Sequence, residues 1–376
     1  IFGKFSYIAP LVNLVAIPWL GFLVIPLCLL AVCILSLPVI ASYVLLSANW
    51  LLAIFMQTII YLSSLPIMAN FLYLSSWQII LLLIAALLLL LPQSTPVKSL
   101  ALICLVPLVF TAANNIKNGE FKINILDVGQ GLAVVVRTHS YTLVYDVGRS
   151  FSPNLDAGRD IVVPFLQGEG ITHIDQLVLS HADGDHVGGL EGVLANIGVD
   201  QISSSEAAKL TITAGRAITS CKQGDTWQVD GVTFSFLHPQ RQVKYKKRND
   251  RSCVLKISSQ YGAALLPGDI NASIEDKLIA TTDVSANLLI AAHHGSKTSS
   301  RAKFIAAVAP EDVVYSAGYL NSYHHPHPSV TRRYTAAQVR QTNTATSGEV
   351  EFYFSDAGIH KQAFRDRWFR PYYLRY

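Results

Sequence analysis

The chain has 376 residues, 51% of them hydrophobic, with 29 Lys and Arg against 25 Asp and Glu. That length exceeds one ordinary domain, and a net charge of +4 is too small to argue for a polyanionic partner by bulk charge. The charge is also split unevenly: residues 1–112 hold Lys4 and Lys98 and no acid, so 27 of the bases and all 25 acids follow Ala112.

The chain opens on Ile1 rather than Met, which marks it as a piece of a longer protein whose earlier part is expected to hold further membrane helices. No secretory leader is visible. The first apolar run is too long for one, is interrupted by proline and is followed by more of the same. Leu11 to Leu37 is long enough to cross a bilayer, which takes about 20 apolar residues, though Pro18 and Pro26 interrupt it. Ile40–Leu62 is a cleaner span and Asn70–Leu91 the cleanest; Leu100–Ala112 is short. Prolines inside such helices fit either a plain anchor with kinks or a bundle lining a polar cavity. Lys4, Lys98, Lys117 and Lys122 are too few to set the orientation.

Asn114–Glu120 reads as a polar linker. Phe121–Val128 alternates as a strand and ends in Gly129-Gln130-Gly131. Leu132–Thr138 and Tyr141–Asp146 form a predicted hairpin pair. A helix start is predicted over Ile161–Gln167, and a buried strand over Ile174–Ser180, ending directly at His181. Further strands are predicted at Thr233–Leu237, Ser252–Ser258, Gly262–Leu266, Asn287–Ala292 and Val313–Ser316. Helices are predicted at Gly188–Ile197, Asn271–Ala280, Arg301–Val308 and Ser329–Ala336. This order predicts a two-sheet sandwich covered by helices. The expected domains are transmembrane helices over 1–112, a linker over 113–120, a hydrolase domain over 121–360 and a basic aromatic tail over 361–376. No CxxC pair occurs among the five cysteines, so neither a zinc ribbon nor a redox motif is indicated. Cys221 and Cys253 form a disulfide in an oxidising compartment or stand as two free thiols.

The chemistry concentrates at strand ends. His181-Ala182-Asp183-Gly184-Asp185-His186 places four potential metal ligands within six residues, after a buried strand. Pro267-Gly268-Asp269 puts a carboxylate at another strand end, His293-His294-Gly295-Ser296 two imidazoles at a third, and Asp146 closes a fourth. Tyr323-His324-His325-Pro326-His327 adds a further cluster, so seven of the 11 histidines lie in these groups. Each motif alone has a bland reading as a turn or a surface loop; together they argue for a metal site. Mixed imidazole and carboxylate ligands suit Zn²⁺ or Mn²⁺. His173, just upstream, reads as a loop residue without a role.

These motifs resemble the metallo-β-lactamase fold, and more narrowly the ComEC family, membrane proteins that internalise DNA in natural transformation. The resemblance rests on Asp127-Val128-Gly129-Gln130-Gly131, Tyr145-Asp146-Val147-Gly148, His181–His186 with Val187-Gly188-Gly189, Asn249–Leu255, Pro267-Gly268-Asp269, His293–Ser296, and Ser316-Ala317-Gly318 with Asn321, His325 and Pro326. In the membrane half it rests on Tyr7–Leu14 and Ile17-Pro18. It implies an α-helical transmembrane segment followed by an α/β (αββα) metallo-β-lactamase-like sandwich. Two departures stand out. Asp183 occupies a position where many metallo-β-lactamase-fold enzymes have His, which favours a more oxygen-rich, manganese-tolerant site. Leu132 follows Gly-Gln-Gly where the family usually has an acidic or small polar residue.

The resemblance and the residue chemistry together imply a hydrolase with two divalent ions, Mn²⁺ or Zn²⁺, which can clamp both oxygens of a phosphodiester displacement. His181 and Asp183 are expected to hold one ion, Asp185 and His186 the other, with Asp269 bridging and His293 or His294 completing the second. Asp185 also orients the attacking oxygen, Asp146 supports a ligand histidine from behind, and His325 stabilises or protonates the leaving oxygen. Ser296 and Asn321 are expected to position phosphate. Lys244, Lys246, Lys247 and Arg248 surround Tyr245, as in a basic groove with a stacking ring, or as in a solvated loop. The tail from Arg365 to Tyr376 holds four Arg and five aromatics; it contacts DNA, lies at a membrane interface, or is disordered. The expected function is a multi-pass, cytoplasmic-membrane nuclease in DNA uptake. It would face the periplasm or cell exterior, degrade one strand while the other enters, and work with other uptake proteins. The rival readings are a phosphodiesterase or lactonase acting on a small molecule or lipid, and a DNA-binding transport module without catalysis. Fold alone decides none of these.

Overall fold

The computed structural model describes residues 4–6, 9–63, 71–73, 76–91, 98–106, 116–153, 155–207, 210, 217–243 and 245–367. The chain divides into two units, Ile1–Ala112 and Ala113–Tyr376.

In the first unit, β1 (Lys4–Ser6) precedes α1 (Ala9–Trp19), α2 (Ile25–Cys33) and α3 (Pro38–Ser63). β2 (Phe71–Tyr73), α4 (Ser76–Leu90) and α5 (Lys98–Leu105) follow. Val12–Cys33 and Pro38–Leu62, 22 and 25 residues long, are long and apolar enough to cross a membrane. The two prolines do not break the first of these. It widens into a π-helical turn at Leu20–Val24, between Pro18 and Pro26, where the Ile25 N–H donates to the Leu20 carbonyl. Asn70–Leu91 differs from its reading as one span. Asn70 lies outside the described residues, and Phe71–Tyr73 pairs antiparallel with Lys4–Ser6. The apolar helix is therefore Trp77–Leu90, about 21 Å at 1.5 Å per residue, short of a bilayer core of roughly 30 Å. Of the Leu100–Ala112 candidate, the helix ends at Leu105 and residues 107–112 lie outside the described residues.

The second unit begins earlier than the linker reading placed it. Ile116 and Glu120 are buried. Glu120 accepts a hydrogen bond from Tyr353 and from the Lys117 N–H, and Lys117 pairs with Asp356 at 2.9 Å. Its strands and helices run β3 (Phe121–Ile125), β4 (Val134–Arg137), β5 (Thr142–Tyr145), β6 (Ser150–Ser152), β7 (Leu155–Asp156), α6 (Val163–Gly168), β8 (His173–Leu179), α7 (Gly184–Val187), α8 (Leu190–Asn196), β9 (Gly198–Ser204), β10 (Ile218–Thr219), β11 (Thr226–Val229), β12 (Val232–His238), β13 (Val254–Ser259), β14 (Gly262–Leu266), α9 (Ala272–Thr281), β15 (Leu288–Ile290), α10 (Ala302–Val308), β16 (Asp312–Tyr315), α11 (Pro328–Ala336), β17 (Arg340–Asn343), α12 (Thr344–Ser347), β18 (Val350–Ser355), β19 (Gly358–Ala363) and α13 (Phe364–Arg367).

Two mixed sheets result. One has the order β10-β9-β8-β5-β4-β3-β18-β19 and the other β11-β12-β13-β14-β15-β16-β17. Alternating strands bury one face between the sheets, where Phe121, Ile123, Tyr145, Phe234, Leu255, Leu266 and Phe352 form the central core. The opposite faces are also buried. Val135, Val144 and Leu177 of the first sheet pack under α6 and α8 with Leu166 and Val193; Leu265, Leu289 and Val313 of the second pack under α9, α10 and α11 with Leu278, Phe304 and Tyr334. The strands inside β4, β5, β8 and β14–β16 therefore read as continuous apolar runs, because both of their faces are covered. This is a four-layer αββα metallo-β-lactamase-type sandwich. Cys221 and Cys253 are joined by a disulfide inside the central core, so the paired alternative holds for them.

Two glycines set the path of the metal-ligand candidates. A Cβ on Gly131 would lie 2.4 Å from the Asp185 carbonyl, which instead accepts the Leu132 N–H at 3.2 Å. A Cβ on Gly189 would lie 2.3 Å from the Gly158 nitrogen and the Val147 carbonyl. The turn carrying residues 183–189 is thus pressed against backbone on two sides.

Glu275 of α9 is fully buried and accepts the backbone N–H groups of Ser300 and Arg301 at the start of α10. Burial raises its carboxyl to about 7, against those hydrogen bonds. A carboxyl raised on folding contributes its stability in full below the ordinary value near 4.5, and loses it as pH climbs through about 7. Glu275→Gln, which cannot ionise, is therefore expected to gain thermal stability relative to the parent as pH goes from 5 to 8, by at most about 3 kcal/mol. Melting curves of both proteins across that range measure it; a difference that does not change with pH refutes it.

Candidate metal centre

Every metal-ligand candidate sits just past the carboxyl end of a strand. Asp146 follows β5, His181–His186 follow β8, Asp269 follows β14, His293 and His294 follow β15, and the loop with His325 follows β16. Three of these residues, Asp146, His293 and His294, hold φ between 52° and 58° without being glycine. Such backbone costs on the order of 1 kcal/mol or more and persists only where surrounding structure imposes it.

His181, His186 and His294 are buried, and the Nε2 of each has no hydrogen-bond partner. The Nδ1 atoms explain why. His186 Nδ1 lies 2.7 Å from Asp146 Oδ2 and His294 Nδ1 lies 2.8 Å from the Ser316 carbonyl oxygen. Both partners only accept, so the proton is on Nδ1 and the Nε2 lone pair is free. Ser180 Oγ donates to Asp146 Oδ2 at 2.7 Å and stands 2.9 Å from His181 Nδ1, which places the His181 proton the same way. Three buried lone pairs left open on one cluster are costly unless something electropositive meets them.

The carboxylates complete the set. Asp269 Oδ1 is 3.2 Å from His186 Nε2 and 3.7 Å from His294 Nε2, and its Oδ2 is 3.6 Å from His293 Nε2. Asp185 Oδ2 is 3.3 Å from His294 Nε2. Two ligand groups at this centre have atoms within 4.8 Å of one another, His181, His186 and Asp269, and Asp185, His186 and His294; a third, more exposed group is His173, Asp175 and Asp200. Burial would lower the His186 imidazole, but Asp269 and Asp146 outweigh it and raise it well above the ordinary value. Burial would raise the Asp269 carboxyl, but His186, His294 and His293 pull it well below. The centre thus stabilises added positive charge. The residues present fit divalent ions with imidazole and carboxylate ligands.

The partition differs from the sequence-based one. His186 belongs to both groups and Asp183 to neither. Asp183 is a third exposed, with Oδ2 3.5 Å from His181 Nε2 and Oδ1 accepting from Arg248 at 3.2 Å. Of the histidine pair, His294 lies in a group; His293 is partly exposed, with Nδ1 3.4 Å from Thr298 Oγ1. Ser296 is buried with its hydroxyl on Thr298, and Asn321 spends its amide on Gly318 and His325 backbone. Both therefore shape loops rather than present free donors. The His325 ring is 5.9 Å from that of His293, its Nδ1 is buried without a partner, and burial beside His294 and His293 holds it neutral, with its pKa down to about 4. His327 caps α11 through the Ser329 N–H, and His324 is exposed.

Lys246, Lys247 and Arg248 are exposed, whereas Lys244 lies outside the described residues. Tyr245 is not a stacking ring: it is buried against His238, 4.9 Å away, because the α9 face needs cover. The tail from 368 onward lies outside the described residues; Arg365 pairs with Asp127 at 3.1 Å. His173, read as a loop residue, opens β8 and pairs with Asp200 at 2.7 Å. Sequence reasoning missed Ser180, Ser252 and Glu206. Ser252 Oγ accepts the Asp269 N–H and lies 3.4 Å from His181 Nδ1; Glu206 accepts the Ala182 N–H and pairs with Arg251. Only Ser180, adjacent to the ligand run, carried a local signal.

Asp146 is fully buried and also accepts the Ser180 N–H. Asp146→Asn puts an amide NH₂ against donors and is expected to weaken metal binding about 10- to 100-fold, read by metal titration of the purified chain. Unchanged affinity would show that His186 is oriented by packing alone.

Residues 126–319 match the metallo-beta-lactamase superfamily, and residues 1–96 match the competence protein family. The chain is similar to competence protein ComA of Neisseria gonorrhoeae, 32% identical across 97% of this chain and 50% of the relative. It is also similar to recombination protein 2 of Haemophilus influenzae, 33% identical across 73% of this chain and 33% of the relative. The chain thus spans half or less of the length of these relatives. A solved metallo hydrolase from the archaeon Ignicoccus hospitalis covers 62% of this chain over its full length, at 14% identity and a TM-score of 0.44.

Proposed function

The chain belongs to the ComEC family of competence proteins, a membrane portion joined to a metallo-β-lactamase domain, and from that premise we propose that it is a membrane-bound, metal-dependent nuclease of DNA uptake. It cuts phosphodiester bonds of one DNA strand while the other is imported, beside other uptake proteins. The observation that carries the reading is the convergence of three buried, unpartnered Nε2 atoms on Asp269 and Asp185.

His186 has one free lone pair and can serve one ion only: His181, His186 and Asp269 would hold one divalent ion, and Asp185 and His294 the other, with Asp183 and His293 at their margins. Bound there, Mn²⁺ or Zn²⁺ supplies Lewis acidity toward a phosphoryl oxygen and neutralises charge developing on the displacement. The protein's own residues prepare that step. Asp146, Ser180 and the Ser316 carbonyl fix the imidazoles with Nε2 inward. Asp185 orients the attacking oxygen. His325 offers a neutral imidazole N–H to the leaving oxygen, and Arg248 with Lys246 and Lys247 draws in the phosphate backbone. The disulfide supports a domain that faces the periplasm or cell exterior, since such bonds persist in oxidising compartments.

The test is cleavage of single- and double-stranded DNA by the detergent-purified chain with Mn²⁺, Zn²⁺ or Mg²⁺. Metal-dependent cleavage is expected. No cleavage with metal demonstrably bound would overturn the nuclease reading.

A further inference from the structure

We propose that the exposed loop after β16 is a base-stacking platform, with Tyr323 as its principal ring, which makes an unpaired DNA strand the substrate of the centre. The proposal rests on the nuclease reading above and names the form of nucleic acid it takes.

The loop joins the solvent to the metal ligands through a file of rings. Tyr323 is 65% exposed. Its ring lies 5.7 Å from that of His325 with 25° between planes, and the His325 ring lies 6.4 Å from that of His294, again at 25°. Tyr323, His325 and His294 thus form a stepwise file of stacked rings, from the surface to a candidate ligand. Beside them, Leu320 is 86% exposed and Tyr319 is about half exposed. Apolar side chains this exposed, grouped on one short loop at the mouth of a polar centre, mark a binding surface rather than a fold requirement.

The loop is also held in shape. Leu320 and His324 take φ near 49° and 55° without being glycine. Asn321 ties the turn from within: its Oδ1 accepts the His325 N–H, its Nδ2 donates to the Gly318 and His325 carbonyls, and its carbonyl accepts the His324 N–H. Strained backbone braced by these hydrogen bonds projects the rings without leaving them free to collapse. A rigid aromatic pays little entropy on binding.

The occupant follows from chemistry. The surface offers flat apolar rings and no free charged donor, so it suits the faces of nucleobases. The phosphates of the same strand would be met by the ions at the centre and by Arg248, which reaches the centre through Asp183. In a duplex the base faces are stacked on one another and closed to Tyr323. A duplex therefore gains only the phosphate contacts, and an unpaired strand gains both.

The experiment compares KM for cleavage of a single-stranded oligonucleotide and of the same strand made abasic, with Mn²⁺ and the full chain in detergent. The parent is expected to show a KM about 10-fold lower for the strand with bases. Tyr323→Ala should erase that difference, and Tyr323→Phe should restore it because the ring, not the hydroxyl, stacks. If the parent shows no preference, or Tyr323→Ala keeps it, the platform is refuted while the nuclease reading stands. Cleavage of neither strand with metal bound refutes the nuclease reading, and the platform with it.

Discussion

Asp269→Ala is expected to lower DNA cleavage by at least about 10³-fold and to remove one or both metal ions. Among the described residues, Asp269 is the one carboxylate that reaches His186, His293 and His294 together, at 3.2 to 3.7 Å. It is buried, so no solvent can replace its charge. Losing one preorganised electrostatic group at a reacting centre typically costs about 10²–10³, and in the proposed scheme this group also holds an ion in place. Asp183→Ala makes the sharpest comparison. Asp183 is a third exposed, outside both ligand groups and shared with Arg248, so its loss is expected to cost roughly tenfold, in the range of groups that tune a metal site from its margin. Metal content by elemental analysis and cleavage rates of the two variants decide this. Equal losses would mean that Asp183 swings inward as a full ligand. Full metal content and activity in Asp269→Ala would overturn the ligand scheme.

Opening the disulfide should produce the largest loss of stability. Cys221 and Cys253 are 32 residues apart, and closing a loop of that size stabilises by about 3–4 kcal/mol in the chain-entropy account. For a domain this large that is a fall in Tm of roughly 10 °C. The bridge also sits next to the metal ligands. The Cys253 N–H donates to the Ser180 carbonyl at 2.9 Å, and the neighbouring Ser252 hydroxyl touches both His181 and the Asp269 N–H. The double replacement Cys221→Ser with Cys253→Ser is therefore expected to melt earlier and to bind metal about tenfold more weakly. Reductant added to the parent should reproduce both effects. An unchanged melting temperature on reduction would show that the core, not the bridge, holds this corner.

The fold was legible because its signals are local. Strands with both faces covered read as apolar runs, such as Leu177–Leu179 and Leu288–Ile290, and each predicted chemical motif followed one of them. The reading of strands stopped before β17, β18 and β19, whose alternating residues look like any surface strand until β18 is seen paired to β3 at the other end of the second unit. In the membrane half, the run Asn70–Leu91 read as one helix because hydropathy cannot show that Phe71–Tyr73 pairs with Lys4–Ser6. Tyr245 looked like a stacking ring among bases, and only the packing of α9 shows that it is covered.

By itself, the sequence determined which loops carry the candidate metal ligands and that they follow strand ends, since residue type and strand periodicity are properties of short stretches of chain. The tertiary structure decided how those ligands divide. His186 falls in both candidate groups because β8 and β14 bring it against Asp269, Asp183 is left at the rim with Arg248, and His294 rather than His293 turns inward because its Nδ1 meets the Ser316 carbonyl. These choices depend on distances between residues 20 to more than 80 positions apart in the chain, and a linear pattern contains no such distances.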